Sequence, residues 1–400
     1  MQGEKMTTVG KFFKRFGIID PAVSVISRSA ENVLLERFSK LNVDVPVQSY
    51  RRYGYSLLNY VAQRFWNDCC VYHRLNQKVF NRFRARMFNS GMSAIVAMIE
   101  ALGLSPGDTV IHHRDCYFAT AAYLQILRQR GIIVLAVDVR DLQSVQALCC
   151  GKAHGRTLIV TESVSNHIRM VTAPLAELAT LAASASAYLL IDNTLPGACQ
   201  VEPTIFCSND DHVIYTESLT KYYHNNESGK RSVGIAIFPD VLREQVDHVT
   251  AVFGFYLQLH DVLELPHELF CVGAARIVQI ANTTRLLTEY LVSQQRSQRL
   301  PFIISVPTSY EGESGVIPWS GVIFMRLEPH GQCTAAQCVA RLLSETGFPE
   351  RGSFGHQTTT VLPIGLRWKD IDDGIVRIAI GSGDSIDDLR RALGRFFAHY

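Results

Sequence analysis

An aspartate and a lysine in this chain have the types and spacing to share one piece of chemistry. Asp192 ends an apolar run from Ala187 to Ile191 and is followed by Asn193 and Thr194. A second apolar run, His212 to Tyr215, leads into Thr216-Glu-Ser-Leu-Thr-Lys221. A carboxylate at the end of one buried strand and a lysine just past the end of the next can meet at a single cofactor ring. The pair points to pyridoxal phosphate: Lys221 forms the Schiff base, and Asp192 keeps the pyridine nitrogen protonated, making the ring an electron sink. Ser218 and Thr220 flank the lysine as candidate phosphate ligands.

Regular elements must bring these groups together. Asn89-Ser-Gly-Met-Ser reads as a helix start capped by Ser90, and Gly103 marks the end of that helix. Its free amide groups and dipole suit a phosphate. Strands are expected at 109–112, 132–137, 157–162 and 187–192, alternating with helices at 119–130, 142–149 and 175–183. Such alternation predicts an α/β fold with a mostly parallel sheet covered on both faces. Ligands bind outside the carboxyl ends of such strands, where Asp192 and the loops 112–117 and 162–166 fall. Upstream, a weakly periodic arm with a short helix at 29–41 precedes a helical stretch at 57–83. Downstream come a strand at 232–238 and a long helical region at 241–294, with a boundary at Pro301. A compact α+β unit follows, with strands at 321–327 and 374–380 and helices at 334–346 and 386–399. The expected division is an arm at 1–55, a large cofactor-binding domain at 56–300 and a small C-terminal domain at 301–400.

Composition narrows the partners. A chain of 400 residues, 47% hydrophobic and 19% charged, can bury a sizeable core. Its net charge of +2, without a basic run, argues against nucleic acid or an anionic membrane and for a small-molecule ligand. No apolar segment is long enough for a signal peptide or a membrane span, so a cytoplasmic location is expected. The 10 cysteines contain no Cys-x-x-Cys pair, so they read as reduced, mostly buried thiols rather than zinc ligands. His112, His113 and His356 lack partners at metal-ligand spacing and read as structural or substrate-lining, so no metal is expected. Cys116 reads as a small thiol packed beside the cofactor, not a nucleophile.

Further motifs follow in order: Ser90-Gly91-Met92, Asp115-Cys-Tyr117, Glu162-Ser-Val-Ser-Asn166, Asp192-Asn-Thr, Ser218-Leu-Thr-Lys221, Ser353-Phe-Gly and Ile375-Val-Arg377-Ile-Ala-Ile-Gly. Together they resemble the Cys/Met-metabolism family of fold-type I pyridoxal-phosphate enzymes, the cystathionine γ-synthase and γ-lyase group, over about residues 46–395. The resemblance implies that the amides of Gly91 and Met92 bind phosphate. It implies that Tyr117 stacks on the ring and assists proton transfer or leaving-group departure, and that Asn166 lies near the cofactor's 3-hydroxyl. Arg377 would pair with the substrate α-carboxylate, a task suited to a planar guanidinium, with Ser353 beside it. Tyr50 and Arg52 would reach the phosphate of a neighbouring subunit, implying a homodimer or homotetramer with shared active sites.

The implied activity is γ-replacement on an activated homoserine-like amino acid. A carbon–sulfur β- or γ-lyase releasing keto acid and ammonia is the alternative, and a non-catalytic scaffold of the same fold is one of another class. Two segments depart from the family pattern. Tyr222-Tyr-His-Asn-Asn-Glu-Ser-Gly229 stands where a Gly-His-x-Asp element is usual, and His356-Gln-Thr-Thr-Thr-Val-Leu-Pro363 replaces the usual continuation after Ser353-Phe-Gly. Those loops line the substrate side chain, so a specialised substrate is expected.

Overall fold

The computed structural model describes residues 55–150, 155–200, 203–206, 211–223, 232–258, 261, 265–266, 268–298, 302–305, 319–364 and 374–399. The predicted arm, including the helix at 29–41, lies outside the described residues.

A seven-stranded sheet carries the larger part of the chain. In chain order its strands are β1 (Phe83–Phe88), β2 (Thr109–His113), β3 (Ile133–Val137), β4 (Thr157–Glu162), β5 (Tyr188–Asp192), β6 (Val213–Ser218) and β7 (Gly234–Pro239), and in space β1-β7-β6-β5-β4-β2-β3. Every pairing is parallel except the two made by β7, which runs against both β6 and β1. The mostly parallel α/β sheet expected from the sequence is thus what forms.

Both faces are covered, and the strands show why. Leu158, Val160, Leu190, Ile214 and Ala236 point to one side, with helices α3 (Gly91–Ala101), α4 (Phe118–Gln129) and α7 (Arg243–Phe253). Ile159, Leu189, Ile191, Tyr215 and Ile235 point to the other, with α1 (Tyr55–Tyr72), α5 (Leu142–Cys150), α6 (Leu175–Ser184) and α8 (Leu269–Gln298). A period of two with apolar residues on both phases is the signature of a doubly covered strand.

The second core is continuous with the smaller sheet. There β8 (Phe302–Ser305), β9 (Val322–Leu327), β10 (Thr360–Pro363) and β11 (Ile375–Ala379) form an antiparallel sheet in the order β10-β11-β9-β8. Helices α9 (Ala335–Thr346) and α10 (Ile386–His399) pack on it together with α8.

Several elements differ from the sequence expectation. The helical stretch at 57–83 ends at Tyr72, because Arg74 takes a left-handed φ of 57°. Asn76 then caps a short helix, α2 (Gln77–Arg82), by accepting from the Val79 amide at 3.0 Å. The following Phe-Arg-Ala-Arg-Met-Phe is a strand. Phe83, Ala85 and Met87 enter the core while Arg84 and Arg86 pair outward with Asp240 and Asp247 at 2.8 Å each. Among the described residues, the helical region at 241–294 holds α7 and α8 as separate helices, the first ending where Gly254 takes a φ of 69°. Strands β8 and β10 carried no sequence signal because each is only four residues long.

Trp66 joins α1 to the edge of the large sheet. It is fully buried, its ring lies 4.9 Å from Phe206 and 5.9 Å from Phe83, and its indole N–H donates to the Phe80 carbonyl. Trp66→Ala should lower unfolding free energy by about 3–5 kcal/mol, measured as a shift in guanidinium midpoint.

Candidate active site

The carboxyl ends of β4, β5 and β6 bring Glu162, Asp192 and Ser218 to one edge, since Glu162 is paired in register with Asp192 and Asp192 with Thr216. Thr194 ties two of these ends together. Its amide and hydroxyl donate to Asp192 Oδ1 at 3.0 and 2.5 Å, and its hydroxyl accepts from the Ser218 amide at 2.8 Å. Beyond Ser218 the chain turns, with the Lys221 amide donating to the Ser218 carbonyl at 3.3 Å. Tyr222 anchors the turn: its phenol donates to the Leu195 carbonyl at 2.7 Å and accepts from the Gly321 amide at 3.3 Å. Lys221 is thereby directed across the site, and Nζ donates to Ser353 Oγ at 3.0 Å. Gly355 sits against the lysine backbone with a φ of 69°, and a Cβ there would stand 1.8 Å from the Lys221 carbonyl oxygen.

A second group of atoms lies at the start of α3. Ser90 caps the helix by accepting from the Ser93 amide at 3.0 Å, while the amides of Gly91 and Met92 have no partner within the helix. Two glycines let this terminus approach the sheet. A Cβ on Gly91 would meet Ser218 Cβ at 2.7 Å, and one on Gly234 would meet the Ser90 carbonyl oxygen at 2.2 Å. The result is a helix N-terminus pressed against a serine, a ready anion cradle. Thr220 reaches the same rim, but its hydroxyl donates to the Val233 carbonyl at 3.2 Å and accepts from the Val233 amide at 3.0 Å. Its one donor is already used, so Ser218 is the better placed of the two hydroxyls.

Arg377 approaches from β11 in the smaller sheet. It is 5% exposed, its guanidinium donates to Asn166 Oδ1 at 3.3 Å and to the Gly352 and Ser353 carbonyls at 2.6 and 3.2 Å, and Nε has no partner. No ion pair to it occurs among the described residues. Burial lowers its pKa to about 10. A buried guanidinium with an unused donor calls for an anionic ligand.

Glu162 gathers the remaining residues. Its two oxygens accept from the amides of Tyr117 and of Asn166, the latter at 2.9 Å. Burial first, then the Asp192 charge, raises Glu162 to about 8, and burial raises Asp192 against the pull of Thr194 and Lys221. Burial, then Arg377, lowers Lys221 to about 8. Tyr117 is raised by burial and by Asp192, so its phenol stays protonated at neutral pH. Cys116 is pushed up to about 12 by burial and Glu162, which leaves it a thiol. Burial also lowers His112 and His113, keeping both neutral. Among the described residues no group of three or more His, Cys, Asp or Glu is arranged to hold a metal ion.

Lys221, Asp192, Ser218, Gly91, Met92, Tyr117, Asn166, Arg377 and Ser353 therefore converge at one edge of the sheet, whereas Tyr50 and Arg52 lie outside the described residues. Sequence reasoning did not single out Glu162, Thr194 or Tyr222 as site residues. Their contributions are hydrogen bonds to backbone atoms of other loops, which no local spacing reveals. These residues fit pyridoxal phosphate on three counts. A carboxylate without an ion pair stands by a lysine whose amine can lose its proton, a glycine-built cradle offers free amides, and an arginine keeps one donor unused.

A model of the Cys/Met metabolism PLP-dependent enzymes matches residues 73–303, more than half of the chain. The chain belongs to that family. Pyridoxal phosphate is therefore its cofactor. A 212-residue stretch, 51% of the chain, is 31% identical to cystathionine gamma-synthase of Escherichia coli (strain K12), and the chain spans about half, 53%, of the length of that curated relative. Solved structures share the fold. That of metB from Corynebacterium glutamicum gives a TM-score of 0.68 at 17% identity, covering 96% of this chain and 93% of that one. That of apo methionine gamma lyase from Micromonospora echinospora gives 0.62 at 18% identity, covering 78% and 82%. The fold-type I reading is confirmed by these likenesses.

Two measurements check this geometry in the family member. Gly234→Ala should force Ser90 away from β7 and weaken binding of pyridoxal phosphate to the apoprotein about tenfold or more, or ~1.4 kcal/mol, with circular dichroism unchanged. Only the neutral amine of Lys221 can attack the cofactor aldehyde. Cofactor uptake by the apoprotein should accordingly rise with pH to half its maximum at about 8, not near the 10.5 of an ordinary lysine.

Proposed function

We propose that this protein catalyses γ-replacement on an amino acid with an activated, homoserine-like side chain. The observation that carries the reading is the placement of Lys221, an amine able to be neutral near pH 8, among Asp192, Arg377 and Ser353. Bound pyridoxal phosphate supplies an electron sink that stabilises negative charge at the substrate Cα. Asp192 would accept a hydrogen bond from the protonated ring nitrogen, whose positive charge would favour the ionised carboxylate. The amides of Gly91 and Met92 and the hydroxyl of Ser218 would hold the phosphate.

The substrate's α-carboxylate takes the unused donor of Arg377, which fixes the Cα–H bond toward Lys221. Lys221 then removes the proton at Cα and, for chemistry at Cγ, a second proton at Cβ. Ser353, within hydrogen-bond distance of Nζ, holds the amine on that side of the site. Tyr117, protonated because burial and Asp192 oppose its ionisation, donates a proton to the departing group. Departure from Cβ needs only the first proton removal, which is why a β-lyase uses the same residues.

The same reading divides the chain into an arm at 1–55, a cofactor domain at 56–300 and a small domain at 301–400. It places Tyr50 and Arg52 against the phosphate of a neighbouring subunit in a homodimer or homotetramer. A cytoplasmic location accords with the described helices, none of which is long and apolar enough to cross a membrane. The changed segments from Tyr222 to Gly229 and from His356 to Pro363 support a specialised substrate rather than a general one.

Homoserine esters with acetyl, succinyl or phosphoryl groups, incubated with the holoenzyme with and without cysteine, test the reading. A thioether of the added thiol, identified by mass, is expected to displace keto acid and ammonia among the products. Keto acid release at a rate indifferent to the thiol would identify a lyase instead. A purified protein with no visible absorbance and no turnover would return it to a scaffold.

A further inference from the structure

Two cations share one aromatic ring in this site. Lys221 Nζ lies over the Phe354 ring, 5.0 Å from its centroid, and Arg377 Cζ lies over it at 5.7 Å. Phe354 is 3% exposed and its neighbours serve the same two side chains. Ser353 Oγ accepts from Lys221, and the carbonyls of Gly352 and Ser353 accept from Arg377. Neither cation has an ion-pair partner within 4.0 Å among the described residues. Two like charges buried together repel strongly in a medium of low dielectric. Carbonyl dipoles offset part of this at Arg377; at Lys221 the ring face, one hydroxyl and the charge of Asp192 do so.

We propose that Phe354 is a positioning residue whose ring face holds Lys221 and Arg377 side by side, setting the base against the carboxylate anchor before substrate arrives. This rests on the roles proposed above for those two residues. An aliphatic residue here would fill the volume without presenting the negative face of an aromatic quadrupole. The other groups acting on Lys221 are Arg377 on β11, which disfavours its charge, and Asp192 on β5, which favours it. Arg377 in turn feels Tyr117 and Tyr222, both of which favour its charge. None of these would be removed with the ring, so the ring's own contribution can be read by substitution.

The test compares holoenzyme carrying Phe354→Leu, Phe354→Tyr or the native residue. Visible absorbance is titrated against pH without substrate, and binding of L-alanine is followed by the same absorbance. Losing the ring face disfavours the protonated nitrogen of Lys221, so the Phe354→Leu midpoint should fall by about 0.4–1.5 pH units. Affinity for L-alanine, whose carboxylate probes Arg377, should fall about 2- to 30-fold. Phe354→Tyr should restore both. A Phe354→Leu protein with native midpoint and native alanine affinity would overturn the proposal. So would equal losses in leucine and tyrosine variants, which would mean packing alone. Phe354→Met replaces the leucine variant if that one does not fold. Neither readout requires turnover, so failure of the γ-replacement assay and failure of this inference are separate results.

Discussion

The hydroxyl of Thr194 fixes the dimension on which the site depends. It donates to Asp192 at the end of β5 and accepts from the Ser218 amide at the end of β6. A pyridoxal phosphate ring needs a carboxylate at its nitrogen and amide donors at its phosphate, a fixed span apart. Parallel pairing of β5 with β6 sets one side of that span, and the close approach of α3 at Gly91 and Gly234 sets the other. A three-atom relay between adjacent strand ends converts sheet register into cofactor geometry. Side-chain precision of this kind is only as good as the rigidity beneath it, and here both sheet faces are packed with buried aliphatic residues.

Electrostatics then decides what the edge attracts. Lys221, Arg377, Asp192 and Glu162 are gathered where desolvation opposes every charge, and the shifts run accordingly: the two acids rise and the two bases fall. Glu162, raised to about 8, contributes less than a full negative charge at neutral pH. The balance is positive, and it is offered to ligands that carry a phosphate and a carboxylate. Glu162 has a structural task besides. By accepting from the amides of Tyr117 and Asn166 it makes one carboxylate the common reference for two loops.

What could be read in the sequence follows from the range of the interactions involved. Asp192 and Lys221 were legible because each stands at a fixed offset from an apolar run, and Gly91 because a capping serine precedes it. Arg377 was legible because arginine in a buried strand requires an anion. Phe83 to Phe88 was not read as a strand because its inward Phe, Ala and Met alternate with two arginines whose acidic partners are over 150 residues away. The break at Arg74 rests on a left-handed residue with no glycine to announce it. The pairing of Thr220 with Val233, across 13 residues, was out of local view. Glu162, Tyr222 and Phe354 act through contacts to residues distant in sequence, among them Tyr117, Gly321 and Lys221.

The cofactor end and the substrate end of this site are built from different material. Phosphate and ring nitrogen would be met by backbone amides, strand ends and short hydroxyl relays, all of which follow from the fold of the large sheet. Tyr222 and Tyr223 belong to that side. Tyr222 bonds Leu195 and Gly321, and Tyr223 fits under Gly273, where a Cβ would stand 2.0 Å from its ring. The departure from the family pattern at Tyr222 therefore does not reach the site's frame at these two residues. In the proposed function, substrate recognition would rest instead on side chains delivered by β11 and by the segment around Ser353, where Phe354 adds an aromatic face. Changing such side chains leaves sheet register and the α3 approach untouched, so a new substrate can be accommodated without disturbing cofactor binding. Family membership accordingly fixes the chemistry at Cα more firmly than the identity of the group that leaves.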